Sequence, residues 1–334
     1  MALKQLNTVF ATIALVGAGM LSGQALAGSI VSTNGMVQIG INDDGSLDLP
    51  TGVGLGYNFS GQGGRTGFQD ALTPGCPCEA WGVSGNGIGG SVGQSIGNNG
   101  ITVNPSSSGV GTFTSNTVLG ALPGLSITQT YSQSVQTATG ALFVDHVKLT
   151  NTTGATITDL RWGRAMDWDV PPTEFSEFVT IKGTGTTPSL LRSTDNGFAD
   201  PNPLTATSDG GIIGPVDADG TTGPADHGAL FVFAFGDLAD GASFEFNTFY
   251  GAGANEADAT TLLSLISPEL FSLGESSFDG FRRDDFPTFI FAFNGVGGEV
   301  VVPPEGVPEP ATLALFGFGL AGLGLARRRW HKSA

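Results

Sequence analysis

Apolar and polar residues alternate along many short segments of the chain, which is the pattern of β-strands with one buried face. Three of these segments, residues 111–118, 125–135 and 141–150, are rich in Thr, Val and Phe and are separated by Gly or Pro. Phenylalanine occupies every second position in three further rows: Phe231, Phe233 and Phe235; Phe244 and Phe246; Phe289, Phe291 and Phe293. Side chains two positions apart in a strand share a face, and each buried Phe contributes about 1.5–3 kcal/mol. The pattern therefore predicts an all-β, antiparallel β-sandwich with phenylalanine at its centre.

One segment, between the second and third phenylalanine rows, has a helical pattern instead. Leu262, Leu263 and Ile266 form an apolar stripe. Asn255 stands where an N-cap side chain would accept a hydrogen bond from a free backbone N–H, and Pro268 cannot continue a helix. We expect one short helix packed on a sheet.

Turn-forming residues separate the predicted strands. The Asp44-Gly45 pair lies between two apolar segments, which indicates a hairpin turn in preference to a calcium loop that would use Asp43, Asp44 and Asp48. Residues 82–108 are dense in Gly, Ser and Asn, and residues 190–226 contain several Asx-Gly clusters. The first is predicted to be a long surface loop with strand fragments, and the second to be loop-like.

The N-terminus has the pattern of a secretory signal. Lys4 precedes an apolar stretch at residues 9–21, and Ala25 and Ala27 supply the small residues of a signal peptidase site. The alternative, an N-terminal membrane helix, fits less well because the apolar stretch is short. Residues 1–27 are therefore predicted to be a signal peptide, followed by one exported domain at residues 28–295.

The C-terminus has an apolar stretch followed by a basic cluster. Residues 296–306 read as a linker, residues 311–326 carry no charge, and Arg327, Arg328 and Arg329 follow. A helix over the uncharged stretch would rise about 24 Å, slightly less than the roughly 30 Å of a bilayer core. The arginines would keep that end on the cytoplasmic side. The stretch is thus a marginal transmembrane helix, and the rest of the chain is expected outside.

This tail resembles the PEP-CTERM sorting signal of exopolysaccharide-producing Gram-negative bacteria. The resemblance rests on Val307 with the triplet Pro308, Glu309 and Pro310, on the Gly-interrupted apolar segment, and on the terminal arginines. It covers only residues 307–334, and it implies processing by an exosortase, a membrane-embedded transpeptidase expected to cut near the triplet. A permanent single-pass anchor is the alternative.

Charge excludes one class of function. The chain has 30 acidic and 13 basic residues, and five of the basic ones lie in the two segments expected to be removed. The exported part would then carry eight basic and 30 acidic side chains, a net charge of −22. Such a field repels nucleic acid and favours divalent cations, so nucleic-acid binding is excluded.

Cys76 and Cys78 are the two cysteines of the chain, and only Pro77 separates them. An oxidising compartment favours their pairing, and we predict an intramolecular disulfide that clamps a turn, with Trp81 packed beside it. Free thiols or a link between chains are the alternatives. A zinc site is disfavoured because no His or second Cys pair lies nearby.

Candidate chemistry is concentrated at Asp167, Trp168 and Asp169. Strand periodicity puts the two carboxylates on one face, where they could contact or hydrolyse a glycan, with Trp168 stacked on a sugar. The alternative is structural: Arg161 and Arg164 would pair with the aspartates, and the tryptophan would fill the core.

Oxygen ligands for a structural calcium ion are also present. Asp217, Asp219 and Asp226 lie in exposed acidic turns and are the candidates, although Asp and Gly clusters are turn formers first. No other cofactor is expected.

Two functions remain open. The first is an exported, non-enzymatic surface or extracellular-matrix protein associated with exopolysaccharide. It would be anchored transiently in the membrane, with signal peptidase and exosortase as partners. The alternative is a carbohydrate-binding module or glycan-active enzyme that uses Asp167 and Asp169. The sequence contains no nucleotide-binding, zinc-binding or nucleophile-triad motif.

Overall fold

Period-two burial runs through most of the chain and places it in antiparallel strands. The computed structural model describes residues 28–47, 52–76, 78–93, 95–206 and 219–301. The predicted signal peptide with Ala25 and Ala27, the sorting tail and residues 302–306 of the linker lie outside these residues, as do Asp48 and Asp217.

The described residues contain 21 strands, one α-helix and two 3₁₀ turns. In chain order the strands are β1 (Gly28–Val31), β2 (Val37–Ile41), β3 (Leu55–Asn58), β4 (Phe68–Asp70), β5 (Glu79–Gly85), β6 (Ile88–Gly93), β7 (Gly97–Asn99), β8 (Ile101–Gly109), β9 (Thr112–Leu119), β10 (Leu122–Gln136), β11 (Ala141–Asn151), β12 (Ile157–Trp168), β13 (Glu177–Lys182), β14 (Leu190–Thr194), β15 (Gly220–Ala225), β16 (His227–Leu238), β17 (Ser243–Gly253), β18 (Leu270–Glu275), β19 (Ser277–Phe278), β20 (Phe281–Arg282) and β21 (Thr288–Asn294). Helix α1 spans Glu256–Ser264, and the 3₁₀ turns span Gln62–Gly64 and Thr184–Thr186.

The strands form three main sheets and a two-stranded ribbon, β19-β20. A nine-stranded sheet has the order β15-β13-β18-β21-β17-β11-β10-β9-β8. A six-stranded sheet has the order β14-β16-β12-β5-β6-β7, and a four-stranded sheet has the order β1-β2-β3-β4. The paired strands run antiparallel, which confirms the all-β, antiparallel class.

Aromatic side chains join the two larger sheets face to face. Trp162 on β12 lies 5.6 Å from Phe246 on β17, measured between ring centroids, and Phe231 on β16 lies 5.6 Å from Phe291 on β21. Apolar residues of β2 and β3 belong to the same buried cluster. The phenylalanine rows thus form the core that their spacing predicts.

Helix α1 covers the other face of the nine-stranded sheet. Leu262 and Leu263 are buried against Leu142, Phe249 and Ile290, which alternate with the residues that face the core. The Asn255 side chain accepts a hydrogen bond from the Asp258 backbone N–H, so the predicted N-cap is confirmed. The helix ends at Ser264, before Pro268 is reached.

Two regions predicted to be mainly loops contain more strand than predicted, and residues 82–108 are mostly strand. Within residues 82–108 lie most of β5, which is buried along its whole length, and β6, β7 and β8. Within residues 190–226 lie β14 and β15. Glycine is used in β5 and β12 because another chain segment crosses closely: a Cβ on Gly82 or Gly163 would lie 2.7 or 2.0 Å from the Pro201 carbonyl oxygen.

The predicted turn is present at Asp44-Gly45, where Gly45 has a φ of 85° and the Asn42 backbone N–H donates to the Ser46 carbonyl at 2.8 Å. Strand β2 pairs with β3, and residues 48–51 between them lie outside the described residues. His146 projects from the polar face of β11, where its Nε2 lies 3.3 Å from Glu245 Oε2. The partner strand β17 supplies that carboxylate, which the local sequence does not reveal.

Candidate functional site

The last residues of β12 bring two carboxylates to a corner of the fold. Asp167 lies within β12, and Asp169 follows the strand. The backbone N–H of Asp169 donates to the Ala71 carbonyl, and that of Asp167 donates to the Cys78 carbonyl, at 2.9 and 3.1 Å. These bonds fix both residues against neighbouring segments.

A third carboxylate arrives from a distant part of the sequence. Asp226 connects β15, at the edge of the nine-stranded sheet, to β16 in the six-stranded sheet. Strands β12 and β16 pair with Trp168 opposite His227 and Asp167 opposite Gly228. This register places Asp226 beside the end of β12. One carboxylate oxygen from each of Asp167, Asp169 and Asp226 lies within 4.8 Å of the other two.

The carboxylate cluster, defined as Asp167, Asp169 and Asp226, is largely buried, with Asp226 half-buried, and has few hydrogen-bond donors. Asp167 is 1% exposed and Asp169 is 0% exposed. Both oxygens of Asp169, and Oδ1 of Asp167 and of Asp226, have no hydrogen-bond partner among the described residues. Buried carboxylate oxygens without partners are costly and rare in native proteins.

Burial and mutual repulsion change the acidity of these groups. Burial, followed by the charge of Asp226, raises the pKa of Asp167 to about 7. Burial, followed by the charges of Asp167 and Asp226, raises the pKa of Asp169 to about 8. Nearby Glu177 has its pKa raised to about 9, chiefly by burial. An anionic, all-oxygen site of this kind suits a hard cation.

The predicted glycan-contact residues are not placed to meet a glycan. Asp167 and Asp169 are buried, and Trp168 fills the core, where its indole N–H donates to Ser272 Oγ at 3.0 Å. The arginines also have other partners: Arg161 pairs with Asp159, and Arg164 does not reach the aspartates. The predicted pairing of Arg161 and Arg164 with Asp167 and Asp169 is therefore wrong.

The structure regroups the predicted calcium ligands. Asp226 joins Asp167 and Asp169, whereas the Asp219 carboxylate accepts two hydrogen bonds from Thr184, each 2.8 Å long. Asp217 lies outside the described residues. The residues able to hold a cation thus come partly from the predicted glycan site and partly from the predicted calcium site.

Cys76 and Cys78 form a disulfide next to the carboxylate cluster. Their Cα atoms are 5.2 Å apart, and Cys76 Sγ lies 4.0 Å from Asp167 Oδ2. The ring of Trp81 stacks on Trp162 with centroids 4.9 Å apart. Since both sulfur atoms are in the disulfide, they are not thiolate ligands for a soft metal.

A second buried charge cluster surrounds Arg164. Its guanidinium contacts Glu79, Asp145, Gln129 and Tyr131, and all the charged side chains are fully buried. One cation faces two carboxylates, and burial raises the pKa of Asp145 to about 7 although Arg164 opposes the shift. Sequence reasoning missed Glu79 and Asp145, since each is an isolated acidic residue in an apolar strand. This cluster binds strands together and has no opening for a ligand.

Comparison with known proteins gives a match in the tail. The family model of the PEP-CTERM protein-sorting motif matches residues 306–329. Neither the curated proteins nor the solved structures contain a match to this chain. The sorting signal predicted from the triplet, the apolar stretch and the arginines is confirmed.

The sorting motif indicates where the protein is transported. It indicates an exported protein that is targeted to exosortase and held transiently in the membrane through its C-terminus. In the part of the chain that the structure describes, no helix is long and apolar enough to cross a bilayer. The predicted membrane helix at residues 311–326 lies outside that part.

Proposed function

We propose that the exported domain is a non-enzymatic surface or extracellular-matrix protein that associates with exopolysaccharide after exosortase removes the tail. The observation that carries the proposal is the sorting motif at residues 306–329. At the start of this route, signal peptidase would remove residues 1–27 by cutting after Ala27, at a site whose small residues are Ala25 and Ala27.

The geometry of the described domain supports the non-enzymatic assignment. The glycan-active alternative needs Asp167 and Asp169 on either side of an accessible bond, and both carboxylates are buried on the same side of β12. Trp168, which is expected to stack on a sugar, is instead buried in the core, where its indole N–H is hydrogen-bonded.

The experiment that tests the route is deletion of the exosortase gene in the native host, with the mass and location of this protein followed. We expect wild-type cells to yield a chain that lacks the residues after about Pro310, and the deletion strain to retain the tail in the inner membrane. A matched variant, Glu309→Ala, should behave in wild-type cells as the native chain does in the deletion strain. A chain that remains intact to Ala334 and embedded in exosortase-containing cells contradicts the proposal.

A second experiment separates matrix association from glycan chemistry. The processed protein should co-fractionate with the host's exopolysaccharide and release no sugar from a polysaccharide array. Hydrolysis that is lost on Asp169→Asn substitution, with the fold retained, would instead support the enzymatic alternative.

A further inference from the structure

We propose that Asp167, Asp169 and Asp226 form a calcium-binding site that fastens the β15–β16 crossover to the end of β12. The inference is independent of the proposed function, because it rests on the described domain and not on the tail.

The first step is the lack of any other neutralising partner. Among the described residues, both oxygens of the fully buried Asp169 and one oxygen each of Asp167 and Asp226 have no hydrogen-bond partner, and one oxygen of each residue lies within 4.8 Å of the other two. A carboxylate desolvated in this way is normally paired, bound to a metal or neutralised by a proton.

The basic residues nearby are engaged elsewhere. Arg65 pairs with Glu174 at 2.6 Å, and Nδ1 of His227 lies 3.1 Å from Asp195. None of the ion pairs found in the described residues includes a member of the carboxylate cluster. Acidic neighbours add to the negative charge, since Asp70, Glu174 and Glu177 also interact with the cluster. No basic side chain of the described residues therefore neutralises the cluster, which leaves a bound cation or a proton, and the Ca²⁺ titration below distinguishes the two.

The ligand chemistry selects calcium. The three donors are carboxylate oxygens, and two oxygens on opposite sides of Ca²⁺ are separated by about 4.6–5.2 Å, given bond lengths of about 2.3–2.6 Å. The three oxygens lie within 4.8 Å of one another, which is close enough for all of them to bind one such ion. Calcium also accepts irregular ligand sets completed by water, whereas Mg²⁺ requires near-ideal octahedral geometry and shorter bonds. Zinc is disfavoured because the cluster has no His or thiolate.

The placement of the ligands gives the ion a structural role. Asp167 and Asp169 belong to the end of β12, and Asp226 belongs to the crossover between the two large sheets. Glu177, at the start of β13, is not counted as a ligand because its carboxylate accepts from the backbone N–H groups of Ser176 and His227. The ion would therefore tie together two chain segments, the end of β12 and the β15–β16 crossover, that only tertiary structure brings together.

The test uses the processed protein purified from its host and freed of metal with EDTA. Calcium chloride at about 100-fold above the dissociation constant should raise Tm by about 5 °C, and calorimetry should show one site per chain. Mg²⁺ at the same concentration should give a clearly smaller shift. No Ca²⁺-dependent shift, or an equal shift with Mg²⁺, would overturn the assignment.

Two neighbouring substitutions and one control make the test specific. Asp169→Asn should abolish the Ca²⁺ shift and, in EDTA, should leave Tm equal to or above that of the wild type, because it removes a buried repulsive charge. Asp226→Asn should also lose the Ca²⁺ shift. Because Asp226 is half-buried, this variant replaces Asp169→Asn in the test if Asp169→Asn folds poorly. Asp219→Asn lies outside the cluster and should keep the full shift. A full shift in either cluster variant, or its loss in Asp219→Asn, refutes the site.

Discussion

The indole N–H of Trp168 donates a hydrogen bond to Ser272 Oγ at 3.0 Å, and both side chains are fully buried. Trp168 ends β12 in the six-stranded sheet, and Ser272 lies on β18 in the nine-stranded sheet. Gly274, on the same strand as Ser272, leaves room for the indole, because a Cβ there would lie 2.6 Å from the ring. The bond therefore joins the two large sheets at the end nearest the carboxylate cluster.

Substituting Trp168 should affect stability and not glycan binding. Trp168→Phe removes the donor and part of the buried volume, so we expect a loss of about 2–4 kcal/mol in the free energy of unfolding. Ser272→Ala removes only the hydrogen bond and should cost about 1 kcal/mol. Urea denaturation measures both. A Trp168→Phe protein with native stability but weakened polysaccharide binding would contradict this assignment.

Arg164 should be far more important for stability than Arg161 on the same strand. Arg164→Met leaves Glu79 and Asp145 buried without their cation, which typically costs about 3–5 kcal/mol. Arg161→Met breaks a pair with the half-exposed Asp159 and should cost about 0–1 kcal/mol. If urea denaturation gives the two variants equal losses in the free energy of unfolding, the stability of the buried cluster does not depend on the charge of Arg164.

Asp145 should make the folded state less stable as pH rises. Its folded pKa of about 7 exceeds the ordinary value of about 3.9, so unfolding releases a proton between these two pH values. Stability is then highest where the carboxyl is protonated and falls as pH rises from about 4 to about 7. Asp145→Asn mimics the protonated form, so its stability relative to wild type should increase by up to about 1.4 kcal/mol per pH unit across that range. Urea denaturation at several pH values measures the difference, and a constant difference contradicts the shifted pKa.

Local sequence patterns predicted the parts of the fold that local chemistry controls. The phenylalanine rows form the core and Asn255 caps α1, because burial period and capping depend on neighbouring residues. The sorting tail can be predicted equally well, because its triplet, apolar stretch and arginines follow one another in the sequence.

Features that depend on long-range pairing were not predicted. The sequence points to Asp167, Asp169 and Asp226 individually but assigns them to two different sites, because the register between β12 and β16 cannot be read from either segment alone. For the same reason Arg164 was assigned to the aspartates beside it in sequence, whereas its partners Glu79 and Asp145 lie on other strands.

Gly82 in β5 and Gly163 in β12 lie where another chain segment crosses closely, and substitution should show what they do. Gly163→Ala would place a Cβ 2.0 Å from the Pro201 carbonyl oxygen, so the crossing segment must move, and we expect a loss of about 1–3 kcal/mol or more. Gly185→Ala is the matched control, because its Cβ would meet nothing within 4 Å, and it should change stability by less than about 0.5 kcal/mol. Urea denaturation compares the two variants. If Gly163→Ala is as stable as the control, Pro201 does not pack on β12 and the close crossing is wrong.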